Sequence, residues 1–133
     1  MKDLYNNVKV KATLAIAART NGTATGTAVD RAVSNSMFAS AMVVVHTGTM
    51  TDGSVAVTVE ESDDNSAWAT ATALQGTAPT IAASDDDTLY EIGYLGGKRY
   101  IRVKAVSTGT TTGGIIGATV ILGDPRVGPV VRP

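Results

Sequence analysis

A single histidine, His46, and two acidic runs, Glu60-Glu61-Ser62-Asp63-Asp64 and Asp85-Asp86-Asp87, are the residues of this chain best equipped for chemistry. An imidazole works as a general base beside a nucleophile and an orienting acid. His46 instead follows the apolar run Val43-Val44-Val45, and no Gly-x-Ser-x-Gly elbow accompanies it. It reads as a structural or rim-facing histidine. Oxygen-rich acidic loops can hold calcium. The acidic runs lack the spacing of an EF-hand loop, and consecutive aspartates send alternate side chains apart. They read as solvated turns, with a calcium site at a subunit contact as the alternative. No feature sets the two runs across a sugar cleft as paired hydrolytic carboxylates.

The glycine pairs Gly96-Gly97 and Gly113-Gly114 lack the following helix that a phosphate cradle needs, and they read as tight turns. Arg99, Arg102 and Lys104 form the basic side of one strand. Such a face either blocks unwanted sheet pairing or meets a partner's acidic surface. Trp68, directly after an acidic turn, is expected to anchor a hairpin or the core. Exposed on a loop, it would instead suit a sugar or an interface. No catalytic, metal or cofactor site emerges from these patterns.

The totals narrow the field further. The chain has 133 residues, no cysteine and a formal net charge of −1. One domain that buries roughly two-thirds of its unfolded surface is expected. Disulfides and thiolate metal sites are excluded. The charge balance and the scarcity of aromatics disfavour nucleic-acid binding. The apolar runs are too short to span a bilayer as helices. The start, Met1-Lys2-Asp3-Leu4, lacks the apolar stretch of a signal peptide, so synthesis in the cytosol is expected.

The elements that must position these residues are strands. Val8, Val10, Ala12, Leu14 and Ile16 alternate with smaller or polar residues, and Val55, Val57 and Val59 do the same. Ile101, Val103 and Ala105 form a third amphipathic run. Met42-Val43-Val44-Val45 is continuously apolar, which predicts a strand covered on both faces. Further strands are expected over 23–29, 68–74, 89–94 and 115–122. Residues 28–36 read as a loop or a helical turn, and 76–87 as a looser polar stretch. The spacing predicts a single all-β domain over 1–133, an antiparallel β-sandwich or jelly roll of about eight strands. Residues 1–7 and the Pro-rich 124–133 read as arms. Arg126, Val127, Val130 and Val131, together with Arg99 and Arg102, are the candidate partner-binding residues.

Three phrases carry a resemblance: Asp52-Gly53-Ser54-Val55 through Val59-Glu60-Glu61-Ser62-Asp63-Asp64 and Trp68; Tyr94-Leu95-Gly96-Gly97-Lys98-Arg99-Tyr100-Ile101-Arg102-Val103; and Gly117-Ala118 to Leu122-Gly123-Asp124-Pro125-Arg126. Their order, over about residues 25–130, resembles small virion proteins encoded among the head genes of tailed bacteriophages. The resemblance implies a capsid decoration (cement) protein on the outer surface of the head. It implies the major capsid protein as partner, a homo-oligomer with a trimer favoured, and no catalytic residues. A connector or tail component is a lesser implication. A carbohydrate-binding module for host attachment is the competing expectation, carried by Trp68, Tyr90 and Tyr94.

Overall fold

The computed structural model describes residues 3–33 and 36–131. The outer ends of both expected arms, and part of the expected 28–36 turn, lie outside the described residues. Branched Val, Ile and Thr suit a pleated surface, and the described residues form strands with no helix among them.

The strands make two six-stranded sheets in which every pairing is antiparallel. In the first sheet, β1 (Lys9–Arg19), β12 (Gly114–Pro125), β5 (Ser36–Met50), β10 (Leu89–Tyr94) and β8 (Leu74–Gln75) lie side by side in that order. A short β4 (Ala32–Val33) also pairs with β5. The second sheet runs β2 (Gly22–Thr25), β11 (Tyr100–Thr108), β6 (Ser54–Ser62) and β7 (Ala69–Thr70). Here β3 (Val29–Asp30) adds to β11, and β9 (Thr80–Ala82) adds to β6.

The sheets bury their facing sides against each other. Val43, Val45, Ile92, Ile116, Val120 and Leu122 point inward from the first sheet. Val55, Val59, Ile81, Ile101 and Val103 meet them from the second. The result is the antiparallel β-sandwich expected, with twelve strands among the described residues instead of about eight. The additional ones are only two or three residues long. The expected strand over 68–74 is two pieces: β7 pairs with β6 in the second sheet, and β8 pairs with β10 in the first. The chain changes sheets between them at buried Ala71. The stretch 76–87 holds β9, whose Ile81 is fully buried.

Polar bonds tie the layers at two places. Register shifts around Leu14 bend β1, and Thr13 turns toward the second sheet. Its hydroxyl donates to the Thr27 carbonyl at 2.8 Å and accepts the buried Val103 N–H at 3.1 Å. Gly26 lies against Thr13 so closely that a Cβ would collide with it. At the other end of β1 the two expected arms meet. Val130 donates its N–H to the Asn6 carbonyl at 2.9 Å, and Lys9 Nζ donates to the Val131 carbonyl at 2.9 Å. β12 itself continues through Pro125, paired with Phe38.

Thr13→Val keeps the shape of the side chain but strands the buried Val103 N–H. It is expected to lower the unfolding free energy by about 1–3 kcal/mol in urea denaturation. An unchanged midpoint and slope would show that the bridge is dispensable.

Candidate functional site

In an antiparallel ladder, residues paired across strands share a face. On the outer side of the first sheet, Val10 of β1, Ile121 of β12 and Met42 of β5 form one row. Ala12, Thr119, Val44 and Glu91 form the next. Ile16, Gly117, His46 and Leu89 form a third, with Ile115 beyond it. Ile16 is 75% exposed, Leu89 60%, Val10 55% and Ile115 39%.

A shallow hollow of about 410 Å³ opens over Gly117, walled by Ile16, Val44, His46 and Leu89. It exists because position 117 has no side chain: a Cβ there would collide with Ile16. Four strands spaced ~4.8 Å apart, with rows running about 20 Å along them, give roughly 300 Å² in plan. That reaches the size of the largest apolar patches on monomers, about 300–600 Å² and often functional. Glu91 and His46 are the ionisable residues on these rows.

The outer side of the second sheet is built differently. Arg102 donates to Glu60 at 2.8 Å, and Lys104 Nζ lies 3.3 Å from the other carboxylate oxygen. The Arg102 guanidinium stacks 4.0 Å from the centroid of Trp68. Burial pushes the Glu60 carboxyl up, but the bonds from Arg102 and Lys104 outweigh it and hold the group below its ordinary range. Arg99 forks onto Asp30 with two bonds of 2.9 Å, and Lys98 reaches Asp63 at 2.6 Å. The Arg99 bond is the main cause that depresses Asp30. This face is charged and satisfied from within.

No protein-family model matches this chain, and neither a curated protein nor a solved structure matches it.

The sequence-derived candidates fall in several places. His46 is exposed on the apolar face, and no hydroxyl or carboxylate is hydrogen-bonded to it among the described residues. Trp68 is half-buried beneath Arg102 on the outside of the second sheet, not in the core. Arg99 and Arg102 each hold an acid of this chain, so a partner's carboxylate must compete for them.

Of the C-terminal candidates, Val127 and Val131 are each 56% exposed, and Arg126 is exposed with its N–H bonded to the Met37 carbonyl. Val130 is 6% exposed and belongs to this chain's own core, so it is not free to dock. The acidic runs are spent singly. Glu61 accepts the Tyr94 hydroxyl at 2.6 Å, Asp64 caps its own turn, and Asp86 accepts the Met50 N–H. No three His, Asp or Glu side chains converge as a metal site among the described residues.

Sequence reasoning passed over Arg31. It is 4% exposed and donates to the carbonyls of Ala39, Gly96 and Lys98 while stacking 5.4 Å from the Tyr94 ring centroid. Burial, and then the bond to Glu61, push the Tyr94 hydroxyl up to about 12. Arg31 falls in the stretch 28–36 that reads as a loop or a helical turn, where nothing in the local pattern signals burial; the structure instead sets it between β3 and β4.

Glu60 contributes to the acid limb of stability, as Asp30 does. Its folded value is depressed, so the unfolded chain takes up the proton first as pH falls. The stabilisation is complete above its ordinary value of 4.5 and is lost as pH drops through the lower folded value. Glu60→Gln is expected to flatten the fall in melting temperature below about pH 4.5, read by circular dichroism. An acid limb identical to wild type would exclude Glu60 as a contributor.

Proposed function

We propose that this chain is a non-enzymatic structural module that works by packing against other protein subunits, as a decoration component on the outside of a phage head. One observation carries the reading: the contrast between the two outer faces. The second sheet neutralises its own charges, whereas the first leaves Val10, Ile16, Leu89 and Ile115 in solvent around a hollow. A contiguous apolar face rimmed by polar residues is the usual mark of a protein contact.

The mechanism is mass action. A protein that binds only the assembled shell adds its binding free energy to the assembled state. Repetition over a lattice lets weak single contacts act together. The likeness of the three sequence phrases to phage head proteins supports the virion setting. The sugar-binding reading is weakened because one face of Trp68 is already covered by Arg102.

The test is co-sedimentation with assembled shells of the phage that encodes the chain. Wild type is expected to pellet saturably, Val44→Glu to lose at least about tenfold in affinity, and Arg102→Ala to bind as wild type. Wild type that stays in the supernatant, or Val44→Glu that pellets equally well, would end the proposal.

A further inference from the structure

We infer that the shell surface covering the outer face of the first sheet carries a lysine or arginine set among apolar side chains, received by the carboxylates of Glu91 and Asp87. The inference rests on the packing role proposed above and names the chemistry of the partner for that face.

Unspent charge is the first reason. All but two of the chain's 12 acidic side chains are occupied within the chain. Asp30, Glu60 and Asp63 pair with cations, and Glu61 takes the Tyr94 hydroxyl. Asp52, Asp64, Asp85 and Asp86 accept backbone N–H groups. Asp3 and Asp124 accept side-chain donors from Asn6 and Ser40. Among the described residues, only the carboxylates of Glu91 and Asp87 are left without a hydrogen bond or ion pair, and both residues are exposed. Both stand on the apolar face. Glu91 pairs with Val44 across the ladder, on the outward side. Asp87 lines a hollow of about 160 Å³ with Ile16, His46 and Ile115, beside the larger hollow over Gly117.

The second reason is that the chain brings no cation of its own to this face. β5, β10 and β12 contain no Lys or Arg. On β1, Lys9, Lys11 and Arg19 pair with Leu122, Val120 and Gly114, which places them on the inward side of the sheet. An exposed carboxylate is well solvated while the face is bare. Once a partner covers Ile16 and Ile115, the Asp87 carboxylate beside them loses water, and without a counter-charge that is strongly unfavourable. A basic side chain meets the need and fits the surroundings. Its aliphatic stem lies along apolar surface such as Leu89 and Ile115, while its charged head reaches a carboxylate. Glu91 stands nearer the sheet margin, where only the two-residue β8 lies beyond β10. A charge at such a rim steers approach and selects partners of opposite sign.

The experiment is co-sedimentation of the full chain with assembled shells of the phage that encodes it, at low and at high salt. Wild type is expected to bind more weakly as salt rises. At low salt, Glu91→Gln is expected to lose about threefold in affinity and the double variant Glu91→Gln, Asp87→Asn about tenfold. The double variant is also expected to lose most of the salt dependence. Both positions are exposed, and asparagine tolerates the positive φ of Asp87, so the circular dichroism stays unchanged. Asp63→Asn removes the same unit of charge elsewhere, beside Lys98, and is expected to bind as wild type. A double variant that binds as well as wild type or better overturns the inference and leaves the shell-binding role standing. So does a wild type indifferent to salt, or an Asp63→Asn variant that loses as much as Glu91→Gln. Wild type that stays in the supernatant ends both ideas.

Discussion

β5 has two apolar sides, and the described residues bury only one of them fully. Val43 and Val45 are fully buried beneath the second sheet, while Met42 and Val44 lie half-exposed on the other side. That imbalance sets the scale of any association. At about 25 cal/mol per Å², burying a face of roughly 300 Å² contributes on the order of 7 kcal/mol. Association costs an estimated 4–15 kcal/mol in lost freedom. The apolar centre alone is therefore close to break-even. Repetition over a lattice then decides the outcome.

A face of this kind is useful to a partner only if it is rigid. Thr13 fastens the bent β1 to the second sheet, which holds Ile16 over Gly117. Asp52 accepts the N–H groups of Thr111, Thr112 and Gly113, fixing the turn that leads into β12. Those bonds hold its carboxyl below the ordinary range. Arg31 locks the start of β5 to the Gly96–Lys98 turn. The second sheet meanwhile spends its charges inwardly, so it offers little competing apolar surface.

The sheets were legible wherever side chains alternate over six or more residues. Val55-Val57-Val59 and Ile101-Val103-Ala105 are inward sets of β6 and β11, as their period of two implies. The short strands were not legible, because β7 and β8 are defined by which neighbour they meet and not by local pattern. The Met42–Val45 run predicts a strand covered on both faces, but only Val43 and Val45 are buried while Met42 and Val44 stay half-exposed, and that difference is the most telling feature of the candidate surface. Its extent was hidden. Ile16, Thr119, Val44 and Leu89 are distant in sequence, and only register brings them onto one face. Arg31 was invisible for a related reason, since its carbonyl acceptors come from turns far along the chain. Val130 looked like part of a free arm because nothing local reveals its contact with Asn6.

The central claim is that the outer face of the first sheet is covered by protein in the working assembly. Carbene footprinting, comparing dilute free protein with the assembled particle, tests it most directly. The account predicts strong protection at Ile16, Val44, Leu89 and Ile121, with Thr58 and Lys104 on the opposite face labelled to a similar extent in both states. Unchanged labelling at the first four, or protection confined to the second sheet, would contradict it.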